Sequence, residues 1–381
     1  MEEEGRSEAE VLEMVEELKE KDISFGSGRI FGSMCTTPHP LAVRINARMS
    51  EANLGNPGLY PGTLEMERQV IGNLGSILHL DRPFGHVLSG GTEANITALY
   101  RAKRMTGKRK VIFPRSAHFS VLKAVKLLDL EPVPIELNDH FSISLDHLED
   151  SLDEEVACVF TVAGTTELGA VDRIKRVSEI VGNVPLHVDA AFGGFVLPFL
   201  EEMDMIEDDL RRWDFRVDGV TTLSVDPHKM GGSTIPAGCL LFREEYPLKY
   251  LAVSSPYLTN TKAYTLAGTR DSGAVCGAFA VMELLGRKGY RERVRSCMDN
   301  TFYLKTGLEK LGLEPVMDPV MNIVAVHHCD PDKVQSLMEG EGYYLSRVKQ
   351  PSALRFVVMP HVNKESIDNM LPVLDKVLKR A

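Results

Sequence analysis

A chain of 381 residues, 44% hydrophobic and 25% charged, can build one large core plus a smaller appended domain. Its formal net charge of −11 argues against nucleic acid and anionic membrane as partners, because both would repel the overall field. No apolar run approaches the roughly 20 residues a membrane helix needs, and Met1 to Glu10 is acidic, unlike a secretory signal.

Six scattered cysteines with no Cys-x-x-Cys pair suit buried thiols in a reducing cytoplasm. The first element is an amphipathic stretch with Val11, Val15 and Leu18 on one face. Gly26 to Thr63, dense in Gly and Pro, then reads as loop: a connector, or a segment placed at a site or subunit contact.

Short apolar strands next alternate with helical stretches. Strands are expected at Lys110–Pro114, Val156–Ala163, Leu186–Ala190, Gly219–Val225 and Ala237–Phe242, and helices at Ala94–Met105, Val121–Leu128 and Ile174–Val181. This order predicts an α/β architecture with a mostly parallel sheet. A helical region from about Ala274 to Leu313, broken near Gly286 and Gly289, leads to a mixed tail. That tail has strands at Asn322–Val326 and Leu354–Met359 and helices near Val334–Met338 and Ile367–Leu378. The organisation is then an N-terminal helix and interface segment (1–60), a large domain (61–280) and a small C-terminal α+β domain (281–381).

Four runs carry candidate chemistry. Gly90-Gly91-Thr92-Glu93-Ala94-Asn95 opens a helix after a strand, which can make an anion site from free backbone N–H groups; a plain turn capped by Thr92 fits equally well. Asp189, in Leu186-His187-Val188-Asp189, ends a buried strand where open α/β sheets bind ligands, and a carboxylate there needs a cation or donor. Lys229, in Asp226-Pro227-His228-Lys229-Met230-Gly231, also ends an apolar strand, and a Lys with a lowered pKa is a nucleophile toward aldehydes. His118, in Ser116-Ala117-His118-Phe119-Ser120, can lie flat on a ring or simply bond a loop carbonyl. Each run alone suits an ordinary turn. Together they supply what pyridoxal 5'-phosphate requires: a phosphate cradle, a face, a partner for the ring nitrogen and an amine for its aldehyde.

These motifs, with Phe31-Gly32-Ser33-Met34-Cys35 and Pro57-Gly58-Leu59, resemble those of the group II pyridoxal-phosphate-dependent amino-acid decarboxylases, most of all the archaeal L-tyrosine/L-aspartate decarboxylase branch. The resemblance runs from Phe31 to Met359-Pro360-His361. It implies an aspartate-aminotransferase-like (type I) fold, a homodimer, and the products tyramine (toward methanofuran) or β-alanine (toward coenzyme A). By the same resemblance Lys229 carries the cofactor as a Schiff base, Asp189 pairs with its ring nitrogen, and His118 and Ala191 cover the two ring faces. Gly91 and Thr92 hold the phosphate with His228 nearby, Thr166 touches the ring substituents, and Thr269 reaches a phosphate from the neighbouring subunit.

Arg355, a charge within the apolar run Ala353-Leu354-Arg355-Phe356-Val357, is the candidate grip for the α-carboxylate, or else an edge-strand Arg facing solvent. An aspartate side chain would want a second cation, with Arg270, Arg347 and Lys349 as candidates. A tyrosine ring would want an apolar slot near Phe25, Phe31 and Tyr60. Tyr257, on the polar segment Ser254 to Asn260 between two helical stretches, is the candidate acid that protonates Cα, with Tyr264 as fallback. The rival reading is a sulfur-transfer enzyme of the same fold, cysteine-desulfurase-like or acting on aminoacyl-tRNA, with Cys329 as its thiolate.

Overall fold

The computed structural model describes residues 3–381. From the N-terminus the chain forms α1 (Glu8–Lys19), α2 (Pro40–Arg48), α3 (Pro61–Ile77), β1 (Phe84–Leu88), α4 (Gly91–Thr106) and β2 (Lys110–Pro114). It continues through α5 (Ser120–Leu127), β3 (Glu131–Ile135), α6 (Leu145–Asp150), β4 (Val156–Val162), α7 (Ile174–Val181) and β5 (Leu186–Asp189). After α8 (Leu197–Glu202) come β6 (Val220–Val225), β7 (Gly238–Phe242), β8 (Val253–Ser254), β9 (Lys262–Ala263) and α9 (Gly273–Lys310). The tail holds β10 (Ile323–His327), α10 (Pro331–Gly340), β11 (Ser346–Val348), β12 (Ala353–Val357) and α11 (Lys364–Leu378).

Seven strands form one sheet in the order β1-β7-β6-β5-β4-β2-β3. Strands β2 to β6 run parallel, and β7 is antiparallel to both of its neighbours. Every residue of β4, Val-Ala-Cys-Val-Phe-Thr-Val, is buried, as parallel strands covered on both faces require. A second sheet, β10-β12-β11, packs with α10, α11 and the later part of α9 around its own apolar cluster. Gly286, at φ +54°, breaks the helical path within α9; that backbone region favours glycine, and the sequence expects a break there. This architecture is the type I fold that the resemblance implies.

Three features differ from the sequence expectation. The Gly- and Pro-rich segment contains a true helix, α2, capped by the His39 side chain with Pro40 at its first position, where a missing N–H costs nothing. The stretch around Tyr257, expected as a plain loop between two helical stretches, joins the two short strands of a β8–β9 hairpin. Phe31 is fully buried in the core of the small sheet, its backbone paired with Tyr344 and Val357. Helix α1 forms as predicted, with a Ser7–Glu10 capping box, but buries no residue. Among the described residues, no helix is long and apolar enough to cross a membrane.

Candidate active site

The parallel strands deliver their carboxyl ends to one edge of the sheet, where open α/β sheets bind ligands. There Gly91, His118, Thr166, Asp189, Ala191 and Lys229 line one cleft of about 320 Å³, and Thr92 and His228 line it as well. Helix α4 begins at Gly91 without any side-chain cap, so its first amide groups and the positive end of its dipole face the cleft. A Cβ at Gly91 would sit 3.0 Å from the Ala191 Cβ and 3.1 Å from an Asp226 oxygen, so glycine leaves room for a ligand to approach the backbone. Gly90 holds φ +151°, a conformation few other residues adopt.

Asp189 ends β5 on the cleft floor, 5% exposed. Its carboxylate accepts from Asn95 Nδ2 at 2.7 Å and from the Ala191 N–H at 3.0 Å, and lies 3.3 Å from Ser224 Oγ. His118 stands at the start of α5, its Nδ1 accepting the Ser120 N–H at 3.3 Å. Burial lowers its pKa against the pull of Asp189, so its ring is neutral at neutral pH.

Lys229 follows β6. Its Nζ lies 2.9 Å from Asp226 Oδ2, three residues earlier. The sequence suggests an amine with a lowered pKa, and the structure corrects this. Burial does pull the value down, but the carboxylates of Asp226 and Asp189 outweigh it and the net shift is upward. His228 accepts the Ala237 N–H through Nδ1 at 3.1 Å, and burial lowers its pKa. Asp226 also lines the cleft, a residue that sequence reasoning passed over. The signal was its spacing of three from Lys229, and its Oδ1 is buried without a partner.

Arg355 is 6% exposed on the central strand β12, which removes the alternative of an edge-strand Arg in solvent. Its Nη1 donates to Gly32 O at 3.2 Å and Ser346 Oγ at 2.9 Å. Its Nε and Nη2, the side-on edge that grips a carboxylate with two parallel bonds, are buried and unpaired. Burial lowers its pKa to about 10 while Glu167 works the other way. Glu167 follows Thr166 of the cleft wall, and burial raises its carboxyl pKa against the pull of Arg355.

Other candidates fall elsewhere. Arg270 is consumed by a buried ion pair with Glu67 and also donates to Val87 O and Leu54 O at 3.1 Å each. Arg347 pairs with Asp332 away from the cleft, and Lys349 is exposed. The proposed aromatic slot is not assembled: Phe31 is core, the Phe25 ring packs on His361 at 4.8 Å, and Tyr60 bonds Glu51 O at 3.3 Å. The apolar cleft walls are instead Phe119, Val162, Phe192 and Ile235. Tyr257 is 84% exposed and Thr269 is exposed, and neither lines the cleft of its own chain; Tyr264 lies against His86, with ring centroids 6.3 Å apart. Cys329 sits exposed before α10, outside the cleft.

The residues present fit pyridoxal phosphate: an uncapped helix start, a buried carboxylate held by two N–H donors, and a lysine in the same cleft. Such a site on this sheet defines an enzyme that works through a bound aldehyde cofactor. The pyridoxal-dependent decarboxylase conserved domain matches residues 41–327. The chain is 44% identical to the probable L-tyrosine/L-aspartate decarboxylase of Methanothrix thermoacetophila over 380 residues, covering 99% of this chain and 97% of that one. It is 40% identical to the probable L-aspartate decarboxylase of Archaeoglobus fulgidus over 376 residues, covering 97% and 100%. A sphingosine-1-phosphate lyase of Burkholderia pseudomallei shares its fold with a TM-score of 0.91 at 23% identity, covering 100% of this chain and 92% of that one. The chain belongs to the pyridoxal-dependent decarboxylase family. It is a carboxy-lyase with pyridoxal phosphate as cofactor, and the sulfur-transfer reading finds no support.

Proposed function

We propose that the protein decarboxylates L-tyrosine to tyramine as its main reaction and L-aspartate to β-alanine as a second one, as a cytoplasmic homodimer. When bound, pyridoxal phosphate supplies a sink for the electron pair that the departing carboxyl group leaves at Cα. The α4 amides at Gly91 and Thr92 hold the phosphate, His118 and Ala191 sandwich the ring, and Thr166 orients its substituents. Asp189 holds the proton on the ring nitrogen. Lys229 would anchor the cofactor through its amine. The free edge of Arg355 takes the substrate carboxylate.

The carrying observation for tyrosine is the lack of a cation for a second carboxylate: among the described residues that line the cleft, Lys229 is the one Lys or Arg, and Arg355, outside that lining, is given to the α-carboxylate. A β-carboxylate would be buried there without a partner, whereas a phenol meets the apolar walls. Relatives named for both substrates, and one named for aspartate alone, support keeping aspartate as a second substrate. The test measures CO2 and amine from a panel of amino acids. The expected result is a kcat/KM for tyrosine at least about tenfold above that for aspartate. The reverse order would reject the assignment.

The dimer is supported by what the single chain leaves uncovered. Val11, Leu12, Val15 and Leu18 of α1 are 46–58% exposed, more apolar surface than a 12-residue helix keeps without a partner. The hairpin bearing Tyr257 docks through Thr259 on Asn56 and Gly58 of the N-terminal segment, and Tyr257 is exposed and does not line the cleft of its own chain. We place Tyr257 in the partner's cleft, where it protonates Cα, and Thr269 near the partner's phosphate. Tyr257→Phe is expected to release CO2 but to make aldehyde in place of amine, as oxygen or a misplaced proton reaches the electron pair. Co-expression of Tyr257→Phe with Lys229→Ala then restores roughly a quarter of the wild-type amine yield, because half the dimers carry one intact site of two. No restoration, with intact dimers in sedimentation, would remove Tyr257 from the partner's site.

A further inference from the structure

Asp189 is held by a chain of buried polar side chains drawn from α4, β5 and β6. Asn95, 1% exposed on α4, donates through Nδ2 to Asp189 at 2.7 Å and to Ser120 Oγ at 2.9 Å. Its Oδ1 accepts from Ser224 Oγ at 2.9 Å and lies 3.0 Å from His187 Nε2. The His187 Nδ1 in turn lies 2.8 Å from Thr222 Oγ1.

The order of donors follows from the chemistry of each group. His187 is fully buried, and burial lowers its pKa to about 4 against the pull of Asp189. The imidazole is therefore neutral at neutral pH and carries one N–H. An amide oxygen accepts only, so that hydrogen sits on Nε2, and bare Nδ1 receives the Thr222 hydroxyl hydrogen. This tautomer keeps the Asn95 oxygen turned toward His187. The amide N–H groups must then face Asp189; the opposite orientation would set an amide oxygen against a carboxylate oxygen. The clamp is buried from His187 to Asn95, so water does not compete for it, and it acts on Asp189 beside the Ala191 N–H.

We propose that Asn95, locked by His187 and Thr222, is the positioning residue that aims Asp189 at the ring nitrogen of the cofactor. The proposal rests on the assignment of Asp189 to that nitrogen made above. Asn95 touches neither substrate nor the reacting atoms. Its effect is to set where the Asp189 oxygens point, and through them whether the ring nitrogen keeps its proton.

The test reconstitutes the apoprotein with 15N-labelled pyridoxal phosphate and reads the ring-nitrogen resonance by solid-state NMR, beside cofactor affinity and steady-state kinetics. Asn95→Leu, similar in size but without the N–H, is expected to move the resonance from pyridinium toward neutral pyridine. It should lower kcat by about 10- to 100-fold, the range typical when an outer partner of an active-site group is removed, with the KM for the amino acid nearly unchanged. His187→Leu is expected to do the same. His187→Gln, whose amide nitrogen can occupy the Nε2 position, is expected to recover the pyridinium signal. Should the leucine variants misfold, Asn95→Ser removes the same N–H with less disturbance and is read in the same way. A wild-type resonance and kcat in a folded Asn95 variant would overturn the proposal. Asp189→Asn is the control. If it too leaves the resonance unmoved, the assignment of Asp189 has failed; if it moves the resonance and Asn95→Leu does not, only the positioning role has failed.

Discussion

Lys229→Ala is expected to abolish the borohydride-trappable yellow chromophore and to lower decarboxylation by at least ~10³-fold, as loss of an anchoring nucleophile does. Reduction of the wild-type holoenzyme followed by peptide mass spectrometry should place the cofactor on Lys229. Finding it on another lysine would end the reading of this cleft. The geometry adds a second arm. The Lys229 Nζ is 2.9 Å from Asp226, and the two carboxylates raise its pKa in spite of burial. In the apoprotein the group is therefore an ammonium at neutral pH, and it must lose a proton before it can attack an aldehyde. Cofactor uptake should accelerate as pH rises through that pKa. In Asp226→Asn the larger counter-charge is gone and the pKa falls relative to the wild type, so the uptake profile shifts to lower pH. A profile that stays in place would show that Asp226 does not govern this amine.

The largest effect on stability is expected at Arg270. Its guanidinium meets both oxygens of Glu67 in a buried pair, and Glu67 Oε1 also accepts the Val87 N–H at 2.9 Å. The Arg270 backbone N–H reaches Asn53 Oδ1 at 3.1 Å, so one cluster ties the N-terminal segment, α3, β1 and the approach to α9. Arg270→Ala leaves a carboxylate buried without a cation, which costs about 3–5 kcal/mol. Replacing both partners together, as Arg270→Met with Glu67→Leu, is expected to cost much less, since no orphan charge remains. Urea unfolding of the single and double variants measures the difference. A single variant as stable as wild type would show that the pair is not closed to water.

The α/β sheet is legible in the sequence, because fully buried parallel strands such as β4 must be written in continuous apolar residues. So is the gathering of the candidate site residues in one cleft. Gly91, His118, Asp189 and Lys229 all sit at strand ends or helix starts, and in a parallel sheet those ends converge on one edge. Helix α2 escaped notice because glycine and proline density signals loop, while a proline at the first helical position is harmless. The rest needed the tertiary structure, because it depends on which side chains meet across long separations. Arg270 and Glu67 lie 203 residues apart, and only their pairing shows that Arg270 has no charge to offer a substrate. Asn95 looked like one more residue of a glycine-rich turn until β5 and β6 brought Asp189, His187 and Ser224 to it. The direction of the Lys229 pKa shift was likewise decided in three dimensions. Burial and two carboxylates oppose each other there, and their balance depends on distances that no spacing in the sequence contains.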